Sequence, residues 1–244
     1  MVDAAGLERF ALLGVAQGGG IAIRYAAEHP ERVSHLVLHA TYARGRRHRG
    51  NLKGQREVIE MIDTVIRHGW DSDNPAYRNF VTSLCLPNAT AEQIREFSEI
   101  ERACADPQTI KRIAEVQWDL DVVDALARVQ SPTLVLHCRD DAFVPFEMGQ
   151  ELAARIPGAR LVPMDGSNHL LIEGDPADAV FFEELEAFLG GKGGRWFSRR
   201  SLVRHQRALR QAMERAERSS LYKIVALVAV LGSVVTFAAW LLQR

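Results

Sequence analysis

Leu12-Leu13-Gly14-Val15-Ala16-Gln17-Gly18-Gly19-Gly20 runs from an apolar strand pattern into a glycine-rich corner. Phe10 to Leu13 reads as a buried strand, and Ile21-Ala22-Ile23-Arg24-Tyr25-Ala26-Ala27 beyond the corner has helix composition. Gly14 and Gly18 flank the turn where a Cβ would clash as strand and helix close on each other, and Gly19 and Gly20 permit further close approach. The central residue, Ala16, occupies a sharp, strained position of the kind that costs about 1–3 kcal/mol. The helix begins just past it, so free N–H groups, that of Gln17 first, point back toward the corner. A plain strand-to-helix turn of a doubly wound fold has the same local pattern.

Two later loops narrow the choice. Ser131-Pro132 opens a short buried-strand pattern, Thr133-Leu134-Val135-Leu136-His137, which runs into Cys138-Arg139-Asp140-Asp141. Ala159-Arg160-Leu161-Val162-Pro163-Met164 reads as the next strand and ends in Asp165-Gly166-Ser167-Asn168-His169. A corner, then an acid, then a histidine, each after its own strand, is the chain order of a nucleophile–acid–histidine triad on an α/β sheet.

These stretches resemble the α/β-hydrolase family, as does Glu31-Arg32-Val33-Ser34-His35-Leu36-Val37-Leu38. The similarity covers about residues 5–190. Arg67-His68-Gly69-Trp70 and Asp73-Asn74-Pro75-Ala76-Tyr77 are similar to a bacterial subgroup whose hydrolase module is often joined to a DNA-binding or nucleotide-cyclase module. The resemblance places the family's elbow glycines on Gly14 and Gly18 and its serine on Ala16, where no hydroxyl is available. It places one oxyanion donor on the backbone N–H of Gln17 and the general base on His169. It places the acid on Asp141, with Asp140 as the neighbouring alternative and Cys138 where the family has glycine. No metal or other cofactor is implied.

In that family a longer segment precedes the elbow and supplies the first half of the sheet and a second oxyanion N–H. Here Met1 to Glu8 precede the elbow strand, and Asp3-Ala4-Ala5-Gly6-Leu7 reads as a helix tail closed by glycine. The expectation is a partial α/β-hydrolase parallel sheet over residues 1–190. Its elbow strand would need cover from a partner or an N-terminal segment.

Between Thr41 and Arg128 the pattern is helical. Val58, Ile59, Ile62, Val65 and Ile66 recur at helical spacing. Thr90-Ala91-Glu92-Gln93 is a capping box ahead of Ile94, Phe97 and Ile100. Asp106-Pro107 pairs an N-cap with a first-turn proline before Ile110, Ile113 and Val116. Such an insert, about residues 41–128, is expected to be a helical cap over a pocket for a small-molecule ligand. Trp70, Tyr77, Phe80 and Trp118 are candidates to line that pocket or to form the cap's own core.

The charged groups nearly cancel, with 30 Lys and Arg against 31 Asp and Glu, so no nucleic-acid footprint is expected for this chain. Cys85, Cys104 and Cys138 are too few and irregular for a disulfide framework or zinc site, which fits a reducing compartment. Cys138 reads as a small strand-end residue rather than a substitute nucleophile. His39 and His137 end strands near the expected site, and no two histidines have metal-ligand spacing. Asn88-Ala89-Thr90 matches a glycosylation sequon by chance if the domain faces the cytoplasm.

The amphipathic stretch Val180 to Leu189, opened by Asp175-Pro176, closes the hydrolase-like part. Residues 191–222 read as a glycine linker, Gly190 to Gly194, and a basic helix carrying Arg199, Arg200, Arg204, Arg207, Arg210, Arg215 and Arg218. Residues 223–244 read as a transmembrane helix whose uncharged run spans about 28 Å. The arginine-rich flank predicts a cytoplasmic hydrolase part and contact with anionic lipid of the bilayer.

Three functional classes compete on this reading. One is an ester or acyl hydrolase by family, without covalent activity while Ala16 stands at the nucleophile position. The second is a non-catalytic ligand-binding or regulatory module. The third is a His–Asp general base acting without a covalent intermediate.

Overall fold

Four parallel strands, β1 (Phe10–Val15), β2 (Val33–His39), β3 (Thr133–Cys138) and β4 (Arg160–Met164), lie side by side in the order of the chain. The computed structural model describes residues 2–190 except 4, 5, 51 and 173. Each strand is followed by helical chain, which returns it to the same end and so makes the pairing parallel. The register sets Leu13 against Val37, and Leu38 against Val135.

Alternation along the strands sorts side chains into two cores. Leu12, Leu36, Leu38 and Val135 face α1 (Gly18–Glu28) and α7 (Phe146–Arg155), where Ile23, Ala26, Leu152 and Ile156 meet them. Val37, Leu134, Leu136 and Cys138 face the opposite way, onto Phe181, Phe182 and Leu185 of α8 (Pro176–Leu189). Helices on both faces explain why β3 is buried along its whole length. Asp175 caps α8 by accepting the Ala177 N–H, as its Asp-Pro start predicts.

β1 is an edge strand of this four-stranded sheet. Its residues alternate between buried and half-buried, with Phe10 and Leu12 inside.

The expected cap is a helical layer between β2 and β3. It comprises α2 (Leu52–Gly69), α3 (Ala76–Cys85), α4 (Ala91–Cys104) and α5 (Pro107–Asp119), followed by the short α6 (Val123–Leu126). Thr90 and Gln93 form the reciprocal capping box, and Asp106 accepts the Thr109 N–H. The cap has its own core of Ile62, Ile66, Trp70, Ile110, Ala114 and Trp118. The insert's ends pack differently: Ala43, Val122, Ala125 and Leu126 join the sheet core. On α5 the buried stripe runs through Ile110, Ala114 and Trp118, and Val116 is exposed.

The Arg67–Tyr77 motif latches the cap helices. The buried Arg78 guanidinium donates to the Trp70 and Ser72 carbonyls at 2.9 and 2.7 Å and pairs with Glu99 at 3.0 Å. Gly69 lies where a Cβ would run into Tyr77.

Among the described residues no helix is long and apolar enough to cross a membrane. The linker, basic segment and apolar run expected over residues 191–244 lie outside the described residues.

Candidate active site

The corner after β1 has the expected strain. Ala16 adopts φ +48°, a left-handed conformation that non-glycine residues avoid. Its N–H donates to the His39 carbonyl at 3.0 Å, and its carbonyl accepts both the Gly19 N–H and the Thr41 hydroxyl. The surroundings therefore hold the strained peptide from both sides. A Cβ on Gly14 would lie 2.7 Å from the Gly19 Cα, and one on Gly19 would run into Thr41. Gly18 is buried as the first residue of α1, and Gln17 is the helix's N-cap.

Asp141 and His169 meet at the carboxyl ends of β3 and β4. His169 Nδ1 lies 2.8 Å from Asp141 Oδ2 with both side chains buried. Asp141 Oδ1 accepts the N–H groups of Phe143 and Val144 at 2.9 Å each. Burial would raise the Asp141 pKa, but hydrogen bonds from His137 and His169 outweigh it and hold the carboxyl well below the usual range. An ionised Asp141 fixes the proton on His169 Nδ1 and leaves Nε2 as a lone pair. That Nε2 is buried and has no partner among the described residues. Asp140, the alternative acid, is exposed; its backbone is held by the Gly166 carbonyl while the turn aims the next side chain inward.

The two strand-end histidines surround this pair. His137 Nε2 lies 2.8 Å from the Val144 carbonyl, which requires a proton there, and 3.5 Å from Asp141 Oδ2. His39 is set edge-on to Phe181, and neither of its ring nitrogens has a hydrogen-bond partner among the described residues. Burial, then the proximity of His169 and His137, lowers its pKa to about 3, so it stays neutral at ordinary pH. Cys138 packs in the α8-side core, and burial followed by neighbouring carboxylates pushes its thiol up to about 12. A thiol held protonated is a poor nucleophile.

Ala16, Gln17 and His169 open on one cavity of about 110 Å³ between sheet and cap. Trp70 and Trp118 line it, with Ile62, Ile66 and Phe143. Tyr77 and Phe80 do not: both are exposed on the outer side of α3. The cap is bonded to the histidine loop, since the His169 N–H donates to the Cys85 carbonyl at 2.7 Å and Asn168 accepts the Asn88 N–H at 3.0 Å.

A family model described as the alpha/beta hydrolase fold matches residues 1–176. The chain belongs to the α/β-hydrolase family. A protein of Pseudomonas savastanoi pv. phaseolicola named as a carbamate hydrolase, RutD, is 28% identical over 179 residues, covering 72% of this chain and 66% of that one. The pimeloyl-[acyl-carrier protein] methyl ester esterase of Neisseria meningitidis is 28% identical over 184 residues, covering 72% and 65%. The chain thus spans just under two thirds of the length of these curated relatives. An esterase from Exiguobacterium antarcticum shares the fold with a TM-score of 0.61 at 22% identity, over 81% of this chain and 70% of that one.

Among the cavity residues of this α/β-hydrolase site that the sequence did not single out are Arg46, Arg49, Cys85 and Glu101. Burial raises the Glu101 carboxyl to about 7, against a hydrogen bond from Thr82 that lowers it. Burial, then Glu101, raises the Cys85 thiol well above its ordinary value. The dense arginine run Arg44-Gly45-Arg46-Arg47-His48-Arg49 just past a strand's carboxyl end was the available signal for the first two. Nothing local marks Glu101 or Cys85. Among the described residues no cluster of His, Cys, Asp and Glu could hold a metal ion.

Proposed function

We propose that this chain binds a small acyl compound, an ester, amide or carbamate, in a hydrolase pocket whose covalent step is absent because Ala16 replaces the nucleophile. The observation that supports it is a His169 Nε2 with no partner among the described residues, on the cavity that the strained Ala16 also lines, with Asp141 on the other ring nitrogen. With a serine at position 16, His169 would take the hydroxyl proton as oxygen attacks the acyl carbon. Asp141 would orient the imidazole, and the Gln17 N–H would face the developing oxyanion. With alanine there is no proton to take and no bond to form. The names of the relatives accord with acyl-bond chemistry.

Installing the hydroxyl tests this reading. Ala16→Ser is expected to raise p-nitrophenyl acetate hydrolysis at least a hundredfold over the chain as it stands, and His169→Ala in that background to remove the gain. An acyl group trapped on the unaltered chain would overturn it. A second reading rests on the same free Nε2: His169 and Asp141 act as a base without a covalent intermediate. Turnover by the unaltered chain that His169→Ala abolishes, with no acyl group trapped, would favour that reading.

We also propose that residues 224–242 tether the domain to a bilayer with the hydrolase part in the cytoplasm. Support comes from the uncharged length of that run and the arginines before it.

A further inference from the structure

The four arginines after β2 divide into two kinds. Arg44 pairs with Glu151 at 2.8 Å, and Arg47 pairs with Glu115 and Asp119 at 2.6 and 2.7 Å. Arg46 and Arg49 point the other way, into the cavity that Ala16 and His169 share. They are 9% and 6% exposed, and neither has a carboxylate within ion-pair distance among the described residues. Arg46 is held by neutral acceptors, Gln55 Oε1 at 3.0 Å and the Phe143 carbonyl at 2.9 Å. Arg49 donates through Nε to the Arg44 carbonyl at 2.9 Å and stacks on Tyr42 at 4.3 Å. Its Nη1 is buried with no hydrogen-bond partner among the described residues.

Two buried like charges without a counter-ion are costly, and the cost falls when an anion enters. The other cavity carboxyl does not serve, because Glu101 takes a hydrogen bond from Thr82 and burial favours its neutral form. Asp141 is committed to His169 and two backbone N–H groups. The fixed fork of a guanidinium matches a planar carboxylate through paired hydrogen bonds. Trp70, Trp118 and Ile62 line the same cavity and supply apolar wall for the ligand's uncharged part.

We infer that Arg46 and Arg49 form an anion subsite, and that the ligand is an acyl compound carrying a carboxylate of its own, such as the half-ester of a short dicarboxylic acid. This rests on the acyl-binding reading above for the ligand's other end, though not for its charge. The carboxylate would take up the free Nη1 of Arg49 and share the positive field of Arg46, leaving the uncharged acyl group for the elbow.

Binding to the unaltered full chain tests this apart from turnover. Monomethyl glutarate and dimethyl glutarate are titrated, with heat as the readout and tryptophan fluorescence in parallel. The half-ester is expected to bind at least tenfold more tightly, and Arg49→Gln to abolish the difference with little effect on the diester. Arg49→Lys, which keeps the charge without the fork, is expected to retain part of it. Equal affinities for the two esters, binding of neither, or a preference that survives Arg49→Gln in a protein with unchanged circular dichroism would overturn the subsite. The unaltered chain's comparison of the two esters stands even if the Arg49 variants fold poorly. Hydrolysis by the Ala16→Ser protein does not enter the result: equal binding of both esters fails the subsite alone, and binding of neither fails the acyl-binding reading with it.

Discussion

The Thr41 hydroxyl donates to the carbonyl of Ala16, bracing from below a peptide that its own conformation disfavours. Thr41 is buried, and the space around it is the space a side chain on Gly19 would need. Thr41→Val keeps the shape and removes the donor. It is expected to destabilise the fold by about 1–2 kcal/mol, the cost of a lost buried hydrogen bond, seen as a lower urea midpoint with unchanged slope. In the Ala16→Ser background it should also lower kcat, because the elbow would no longer be held in its strained form.

Gly149 in α7 stands where a Cβ would lie 2.8 Å from His137 Nδ1. The ring cannot retreat freely, since its Nε2 is held by the Val144 carbonyl. Gly149→Ala should therefore lower stability by about 1–3 kcal/mol despite alanine's better helix propensity. Gly50→Ala, outside the helices and where a Cβ meets nothing within 4 Å among the described residues, is the control without a packing clash. Thermal melts of the two variants measure the difference.

Two buried groups push the pH dependence of stability in opposite directions. The folded pKa of Glu101 is raised to about 7 from 4.5, so its contribution is full below pH 4.5 and is lost as pH rises through 7. The folded pKa of His39 is lowered to about 3 from 6.5, so stability rises with pH between those values. Between pH 4.5 and 6.5 the two slopes oppose each other. Glu101→Gln removes the falling one while keeping an acceptor for the Thr82 hydroxyl. The variant should gain on the parent protein steadily from pH 4.5 to 7, by about 1–3 kcal/mol at pH 8, in denaturant titrations at each pH.

Membrane tethering makes its own prediction. With a span at residues 224–242, the full chain should stay with the pellet through carbonate and high-salt washes and leave it only in detergent. Release by salt would leave only attraction of the arginines to anionic lipid. In sealed right-side-in vesicles the hydrolase part should resist added protease until detergent is present.

Much of this site is written locally. The strand, the glycine spacing and the turn at Ala16 follow from short-range sterics, and the N-caps at Thr90, Asp106 and Asp175 from single side chains reaching the next turn. The same order of strand and loop brings Asp141 and His169 to one end of a parallel sheet. Other choices are made by distant partners. Asp141 rather than Asp140 faces His169 because the turn after β3 is held by Gly166 and by two N–H groups of its own loop. Arg44 and Arg47 find carboxylates on α5 and α7, while Arg46 and Arg49, of the same residue type a few positions away, turn inward. Helical spacing names a stripe but not what it meets, so Tyr77 and Phe80 are exposed while Glu101 enters the cavity. Backbone geometry is a property of neighbours in the chain, and the sequence carries it. Which arginines are paired with carboxylates and which face the cavity depends on residues 68 to 107 positions apart, and only the packing of cap against sheet decides it.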